Sequence, residues 1–325
     1  MRNTFAKTLL DLARRDPRVV MLSADIGNRL FDEFKAEFPQ RFHNCGVAEA
    51  NMIGVAAGMA MCGLRPIVYT IAPFVTTRCL EQIRVDLCYH HQPVVIAGVG
   101  AGLSYGELGA THHACEDIAM LRCLPGMTVV CPADCIELRA AMAAAVMHHG
   151  PVYLRLGKKG EPDVHGGELD ASTFALGKAI TLRPGRDVCL LATGNLVAGT
   201  LEVADLLQRR GVSAQVVSMH TVKPLDEAML AESFARFGLV VTIEEHSVIG
   251  GLGGAVAEWL ADRALELNNA GAARLLRLGT PDVFPHQAGH QDDLRELAGL
   301  TPAAMAKRIA EAMGGTGMAL TERAA

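Results

Sequence analysis

The stretch CGVAEANMIGVAAGMAMCG, residues 45–63, decides how the first half of the chain folds. It consists almost wholly of small and apolar residues, and Glu49 is its only carboxylate. The run after Glu49 has no proline, ends on Gly63 and carries glycine and alanine at helical spacing. This pattern predicts a tightly buried helix that neighbouring backbone approaches closely. The run is too short, and too near Arg65, to span a membrane.

Glu49 has two interpretations at the head of this helix. The simpler one is a first-turn acid favoured by the helix dipole, which contributes about 0.3–1 kcal/mol. The other is a buried carboxyl that shares or donates a proton at neutral pH. The stretch alone favours the simpler interpretation, so the rest of the chain has to decide between them.

Length and composition indicate a two-domain α/β enzyme. The chain has 325 residues, of which half are hydrophobic and a fifth charged, with 33 glycines. A net charge of -5 without a basic stripe argues against nucleic acid or an anionic membrane as partner. We find no signal peptide. The nine cysteines form no CxxC pair, which indicates free thiols rather than disulfides or a zinc site. We therefore expect a cytoplasmic protein.

Strand patterns alternate with helix patterns along residues 1–160, and a second alternation begins near residue 188. The expected fold class is α/β, with two doubly wound domains of mainly parallel sheets. The predicted parts are a first domain over 1–160, a Gly/Pro-punctuated linker over 161–186, a second domain over 187–313 and a tail over 314–325. Ligands of such sheets bind beyond the carboxyl ends of the strands. Asp25, Phe74, Lys158 and the loop 100–113 follow strands there.

The loop GAGLSYGELGATHH, residues 100–113, follows a predicted strand and ends in two histidines. Its glycines let backbone approach a ligand, and His112 could act as an acid or base near neutral pH. The alternative is a histidine pair hydrogen-bonded on a solvated loop. A metal site is disfavoured because adjacent histidines rarely aim at one ion; its ligands would be His112, His113, Cys115 and Glu116.

A second glycine-rich stretch, GGLGGAV at residues 250–256, follows a predicted strand and opens a helix. It loosely resembles a dinucleotide-binding fingerprint, but the spacing is imperfect. Close helix packing or a subunit contact is the preferred interpretation. The sequence has no GxxxxGK[ST], no HExxH and no motif that would hold a magnesium-bound diphosphate.

Several separated motifs resemble, in order and spacing, the carboxy-terminal half of transketolase, a thiamine diphosphate enzyme, over roughly residues 2–313. They are SAD (23–25), FHNCGVAEANM (42–52), EQIR (81–84), GATH (109–112), EDIA (116–119), GPVYLRLG (150–157) and EEHSVIGGLG (244–253). The chain looks most like the second subunit of a transketolase split into two chains. The resemblance implies a pyrimidine-binding domain followed by the carboxy-terminal domain of that family.

The resemblance also implies residue roles. The carboxyl matching Glu49 binds the ring nitrogen of the aminopyrimidine and passes it a proton, so that the cofactor can become a nucleophile. Phe74 matches the aromatic residue that stacks on the aminopyrimidine, and Asp25 an aspartate lining the cofactor site. His112 matches a histidine that helps proton transfer at the substrate carbonyl. Arg2 and Lys158 fall where the family has arginines that bind the sugar phosphate, although lysine lacks the bidentate geometry.

Two positions depart from the family pattern. Ordinary transketolases have a histidine where this chain has Gly100 and an aspartate where it has Leu108. Both family residues hydrogen-bond hydroxyls near the donor carbonyl, so their loss removes polar recognition and is expected to leave room. A hydroxyl left facing Leu108 would be unpaired at a cost of about 1–3 kcal/mol. We therefore expect an unusual donor, such as a ketose branched or modified beside its carbonyl.

The missing diphosphate motif implies a partner chain that holds most of the thiamine diphosphate and its Mg²⁺, in an α2β2 assembly acting on sugar phosphates. Two alternatives remain open. The beta subunit of a 2-oxo acid dehydrogenase has the same two domains, length and glutamate. A non-catalytic paralogue that regulates the diphosphate-binding chain is disfavoured, because a binding module would need neither Glu49 nor Phe74 nor His112.

Overall fold

The computed structural model of the chain describes residues 1–27, 29–170, 172–263 and 273–314. Over its described residues, the first half contains six strands and seven α-helices. In chain order they are α1 (Arg2–Arg15), β1 (Val19–Ser23), α2 (Asp32–Glu37), β2 (Phe42–Asn44), α3 (Glu49–Met61), β3 (Arg65–Ile71), α4 (Ala72–Thr76), α5 (Leu80–Gln82), β4 (Val95–Val99), α6 (Asp117–Arg122), β5 (Thr128–Val130), α7 (Cys135–Met147) and β6 (Val152–Leu156). A π-helical segment, Ile83–Tyr89, continues α5.

The second half repeats the alternation of strands and helices within its described residues. Its elements are β7 (Ile180–Arg183), β8 (Val188–Ala192), α8 (Val197–Gln208), β9 (Ala214–Ser218), β10 (Thr221–Lys223), α9 (Glu227–Arg236), β11 (Leu239–Ser247), α10 (Leu252–Asp262), β12 (Arg274–Thr280), α11 (Gln291–Leu297) and α12 (Pro302–Gly314). The tail predicted over 314–325 lies outside the described residues except for Gly314.

Two mainly parallel sheets organise the fold. The first has the order β10-β5-β6-β4-β3-β1-β2, and the second has the order β12-β11-β8-β9-β7. Among the described strands, only β10 and β7, at the sheet edges, run antiparallel to their neighbours. Every residue of β1, β4, β6, β8 and β9 is buried, as expected of parallel strands covered by helices on both faces. The predicted α/β fold class is confirmed.

Helix α3 begins at Glu49, where the sequence places its start, and packs against β3. Its buried face is built from small and medium apolar side chains, namely Met52, Ile53, Ala56, Ala57 and Ala60. The opposite face exposes Val55 and Met61. The tight burial predicted for this helix therefore holds on one face only, because small residues allow close packing on a face without requiring it on every face.

The two halves of the chain interlock. Strand β10 belongs to the second half by sequence, yet it pairs with β5 at the edge of the first sheet. The buried Arg155 on β6 donates a hydrogen bond to the backbone oxygen of Glu245 on β11 at 3.0 Å. Strand β7 lies within residues 161–186, which the sequence presents as a linker. No helix among the described residues is long and apolar enough to cross a bilayer.

Candidate active site

Most of the predicted site residues follow the carboxyl ends of neighbouring parallel strands. Asp25 comes just after β1, Phe74 lies on the helix that follows β3, and Lys158 comes just after β6. The loop 100–113 follows β4. Because β1, β3, β4 and β6 are adjacent and parallel, these segments all leave the first sheet at the carboxyl ends of its strands, which we call its carboxyl edge. Ligands bind at this edge in doubly wound folds.

Glu49 and Phe74 are joined by Arg78. The Glu49 side chain is only 5% exposed, and Arg78 Nη1 donates to both of its carboxylate oxygens, at 3.2 and 3.3 Å. The same guanidinium lies over the Phe74 ring, 3.9 Å from its centroid. A planar cation that donates hydrogen bonds therefore contacts a buried carboxylate and an aromatic face at once.

His112 extends this cluster to the loop 100–113. Its ring meets Phe74 edge to face with centroids 5.0 Å apart, and its Nδ1 lies 2.9 Å from the Thr111 hydroxyl. Partial burial and the nearby Arg78 guanidinium lower the pKa of His112 below its usual value. The imidazole is therefore neutral at pH 7 and able to accept a proton.

Tyr105 occupies the space beside Gly100. A Cβ on residue 100 would overlap the Tyr105 ring, and Gly100 has φ of +90°. The room expected from the missing side chain at residue 100 is therefore filled. Lys158 Nζ lies 5.0 Å from the Tyr105 ring centroid, and Arg2 interacts with the Tyr105 hydroxyl. Both cations predicted for the sugar phosphate thus lie near Tyr105.

Two predicted site residues do not join these contacts. Asp25 is exposed, has φ of +52° and pairs with Asn44, whose amide donates to its carboxylate at 2.9 Å. Leu108 lies on a 3₁₀ turn with about half of its side chain exposed. Both lie near the same end of the sheet, but within the described residues no hydrogen bond, ion pair or ring contact links either of them to the cluster formed by Glu49, Phe74 and His112.

The adjacent histidines have different surroundings. His112 faces Phe74, whereas His113 is buried, with neither ring nitrogen hydrogen-bonded within the described chain. His113 lines a cavity of about 570 Å³ between the loop and the second half of the chain. Within the described residues, no group of three or more His, Cys, Asp or Glu side chains is arranged to hold a metal ion.

The second half of the chain fixes the shape of the loop. The fully buried Glu245 carboxylate accepts from the Leu103 backbone N–H at 2.8 Å and from the Gln291 amide at 2.8 Å, and it pairs with Arg295. Arg155 also donates to the Ala114 oxygen at 2.6 Å. The loop that carries His112 is thus held by residues that lie far from it in sequence.

The glycines of residues 250–254 serve close packing. A Cβ at Gly251 would overlap the Glu244 carboxylate, and one at Gly253 would lie 2.7 Å from the Thr242 hydroxyl. Glu244 accepts from the backbone N–H groups of Leu252 and Gly253 at the start of α10. The interpretation as close helix packing rather than a dinucleotide fingerprint therefore agrees with the structure.

Arg78 and Tyr105 contact members of the cluster, but the sequence motifs assigned neither of them a role. Arg78 follows Phe74 by four positions, the spacing that brings side chains together on a helical stretch, so a signal for it existed. Tyr105 is one of four tyrosines in the chain and lies inside the glycine-rich loop. Its packing against Gly100 follows from the loop conformation and has no counterpart in the sequence pattern.

Comparison with known proteins places the chain in a family. The family model described as "Transketolase, pyrimidine binding domain" matches residues 1–161, and "Transketolase, C-terminal domain" matches residues 177–305. A subunit of an apulose-4-phosphate transketolase from Phocaeicola vulgatus is 39% identical over 88% of this chain and 92% of that protein. A 6-deoxy-6-sulfo-D-fructose transketolase subunit of a Clostridium species is also 39% identical, over 93% of this chain and 90% of that protein.

A solved structure described as a split gene transketolase in an inactive β4 tetramer has the same fold. It superimposes with a TM-score of 0.85 at 38% identity, and the match covers 96% of this chain and 97% of that one. The predicted resemblance is confirmed across both halves of the chain. The chain belongs to the transketolase family, of which it comprises the pyrimidine-binding and carboxy-terminal domains.

Proposed function

We propose that this chain is the pyrimidine-binding subunit of a two-chain transketolase, which transfers a two-carbon ketol unit from a ketose phosphate to an aldose phosphate. The observation that carries the proposal is the contact cluster of Glu49, Phe74 and His112 at the carboxyl edge of the first sheet. A buried carboxylate, an aromatic face and a neutral imidazole within one cluster suit acid–base chemistry on a planar cofactor.

The residues present fit the aminopyrimidine of thiamine diphosphate. Arg78 already places a planar hydrogen-bond donor on the Phe74 ring and at the Glu49 carboxylate, the two contacts that an aminopyrimidine needs. Phe74 would hold the ring by stacking, and Glu49 would bind its nitrogen. When bound, the cofactor supplies the nucleophilic carbon that accepts the two-carbon unit.

The roles of the chain's own residues follow from their surroundings. Glu49 is buried, so a proton that it shares with a bound ring nitrogen is kept from bulk water. His112 is neutral at pH 7, because its pKa is lowered, and takes or returns the proton of a substrate hydroxyl. Arg2 and Lys158 attract the anionic end of the sugar. Asp25, next to the cluster along the sheet edge, lines the cofactor side of the site.

A partner chain completes the site in this proposal. Among the described residues no carboxylate cluster is arranged to hold Mg²⁺, so the diphosphate and its metal ion fall to a diphosphate-binding subunit, in an α2β2 assembly. The solved split-gene relative is described as inactive when it forms a β4 tetramer, which supports this requirement.

The donor is proposed to be an unusual ketose. Gly100 and Leu108 replace the polar residues expected near the donor carbonyl, and two similar proteins are named for apulose 4-phosphate and 6-deoxy-6-sulfo-D-fructose. A site without those polar groups does not penalise a donor that lacks the hydroxyls they would bind.

The test uses the chain co-expressed with its diphosphate-binding partner, with thiamine diphosphate and Mg²⁺ added. Ketose phosphates and 2-oxo acids are screened for turnover, with Glu49→Gln as the inactive control. Ketol transfer that the Glu49→Gln variant lacks supports the proposal. Turnover of 2-oxo acids alone assigns the chain to the 2-oxo acid dehydrogenases, and full activity with plain xylulose 5-phosphate at ordinary levels contradicts the unusual donor.

A further inference from the structure

Tyr105 lies at the centre of the groups proposed for the substrate, although the sequence assigns it no role. Its ring meets the His112 ring with centroids 6.3 Å apart, and Lys158 Nζ lies 5.0 Å from its centroid. Its hydroxyl interacts with the Arg2 guanidinium. Tyr105 therefore links the proposed proton-transfer residue to both cations of the proposed phosphate site.

The ring replaces the side chain that residue 100 lacks. Gly100 has φ of +90°, and a Cβ built there would overlap two carbon atoms of the Tyr105 ring. Tyr105 itself is only 8% exposed, so the ring is held in place by its surroundings. A side chain at residue 100 would therefore require the Tyr105 ring to move or to be replaced by a smaller group.

The charges around Tyr105 are suited to an anionic ligand. No carboxylate lies within 4 Å of the Arg2 guanidinium in the part of the chain that the structure describes. Among the same described residues, Lys158 has only a long ion pair with Glu107, at 3.9 Å, with both side chains partly exposed. A cation without a close carboxylate remains available to bind a phosphate or a sulfonate.

A purely structural role for Tyr105 explains less. A tyrosine that only fills the core needs a single partner for its hydroxyl, and its ring packs among apolar side chains. Here the ring borders an imidazole and an ammonium, and the hydroxyl lies near the Arg2 guanidinium, all on residues of the proposed site. The ring thus borders one residue proposed for the carbonyl end of the substrate, His112, and one proposed for its anionic end, Lys158.

We propose that Tyr105 determines donor specificity, with its ring forming the wall of the donor site in place of a side chain at residue 100. This inference rests on the proposed function. The wall limits which groups fit beside the reacting carbonyl, while the hydroxyl helps to keep Arg2 directed at the anionic end. Specificity thus follows from the volume of the ring more than from a hydrogen bond at residue 100.

The test compares two substitutions in the complete two-chain enzyme. Tyr105→Phe keeps the ring, whereas Tyr105→Leu removes much of it. The kcat/KM of each is measured for two donors, an unbranched ketose phosphate and one with a carbon branch beside its carbonyl. We expect Tyr105→Leu to reduce the wild-type discrimination roughly tenfold or more, because one methylene of pocket volume already changes selectivity by about that factor. Tyr105→Phe should change the ratio by less than about threefold.

A matched control and a second readout keep the outcome interpretable. Tyr89 is 82% exposed and lies in the π-helical segment that precedes β4, at the opposite edge of the sheet from the loop 100–113. Tyr89→Leu should leave the donor ratio unchanged. Thiamine diphosphate affinity, measured by titration calorimetry, should be the same in all variants. Tyr105→Met, which fills irregular space with a flexible side chain, replaces the leucine variant if that variant does not fold.

The outcomes separate this inference from the proposed function. An unchanged donor ratio in both the leucine and methionine variants of an active enzyme overturns the role of Tyr105 and leaves the function intact. Equal losses in the phenylalanine and leucine variants also overturn it, because the hydroxyl and not the wall would then select the donor. If no ketose is turned over, the function fails, and the relative affinity of the two donors, measured by calorimetry, decides whether Tyr105 still selects between them.

Discussion

The Arg78 guanidinium hydrogen-bonds the Glu49 carboxylate, with Nη1 3.2 Å from one oxygen and 3.3 Å from the other. Because the same guanidinium covers the Phe74 ring, an aminopyrimidine must displace it from both contacts. Arg78 is half exposed, so its ion pair contributes only about 0.2–1 kcal/mol. We expect Arg78→Ala to tighten thiamine diphosphate binding to the two-chain complex by about 1.5- to 5-fold.

Titration calorimetry of the two-chain complex measures this affinity. Arg18→Ala removes an exposed arginine that pairs only with Asp16 among the described residues, just before the amino end of β1, and provides the matched control. Weaker binding in the Arg78→Ala variant, with the control unchanged, would mean that Arg78 assists the cofactor rather than competing with it.

Glu49→Gln tests whether catalysis needs the proton that Glu49, at the start of α3, is proposed to share with the cofactor. Glutamine keeps the size and one hydrogen-bonding oxygen but cannot pass on a proton, so we expect ketol transfer to fall by about 10²- to 10⁴-fold. The measurement is kcat in the two-chain enzyme at saturating cofactor. Glu33→Gln, an exposed acid in the first turn of α2, is the control for the same chemical change. Unimpaired turnover in the Glu49→Gln variant would instead support a non-catalytic role.

Gly100→Ala and Gly63→Ala separate backbone strain from steric overlap. Gly100 has φ of +90° and Gly63 has φ of +88°, so alanine costs about 1–2 kcal/mol of backbone strain at either position. A Cβ at Gly63 meets no atom within 4 Å, whereas one at Gly100 overlaps the Tyr105 ring. We expect Gly100→Ala to lower the free energy of unfolding by about 1–3 kcal/mol more than Gly63→Ala, measured by urea titration.

The double variant Gly100→Ala/Tyr105→Leu checks the cause of that difference. If the Tyr105 ring causes the excess cost, part of it should disappear in the double variant. Equal destabilisation by the two single alanine variants would show that the Tyr105 ring moves aside without lowering the free energy of unfolding.

Arg155→Leu tests the buried ion pair between β6 and α6. Arg155 Nε lies 2.7 Å from the Asp117 carboxylate, and both side chains are almost fully buried. Leucine would leave Asp117 charged and without its cation, at a cost of about 3–5 kcal/mol of unfolding free energy. Arg139→Leu breaks the exposed pair with Glu168 and should cost less than about 1 kcal/mol. Similar losses in the two variants would contradict the importance of burial.

We expect the buried His246 to lower the free energy of unfolding as the pH becomes acid. Burial is the main reason that the pKa of His246 is lowered to about 4. Its Nε2 accepts a hydrogen bond from the Ala119 N–H. The unfolded chain binds a proton near pH 6.5 and the folded chain only near pH 4, so stability is lost as the pH falls between these values. The full effect is about 3 kcal/mol. An asparagine side chain cannot titrate, so thermal unfolding of the His246→Asn variant should depend less on pH across this range.

The carboxyl of Glu244, next to His246, changes the pH dependence of stability in the opposite direction. Burial raises the pKa of Glu244 to about 7, so its contribution to stability is lost as the pH rises through about 7. The contribution of His246 is therefore read from the difference between the wild type and His246→Asn at each pH. An identical pH dependence of the two proteins would show that His246 is not kept neutral by the fold.

Local sequence patterns predicted most of the secondary structure. The helix begins at Glu49 as predicted, and strands alternate with helices in both halves of the chain as the patterns indicate. Helical and strand periodicities depend on neighbouring residues only, so they are visible in a single sequence. The short strands β2, β7 and β10 were not predicted. Each has three or four residues, too few to show a period, and β7 and β10 depend on partners elsewhere in the chain.

The sequence by itself determined the fold class and the family, and it indicated Glu49, Phe74 and His112 as candidate site residues, because these rest on local pattern and motif spacing. Only the tertiary structure decided which side chains meet. Arg78 reaches Glu49 from 29 residues away, and Glu245 holds Leu103 from 142 residues away. The Tyr105 ring fills the space beside Gly100 because the loop backbone turns through a positive φ there. Such contacts depend on how segments pack in three dimensions, which the periodicity of a single segment does not record.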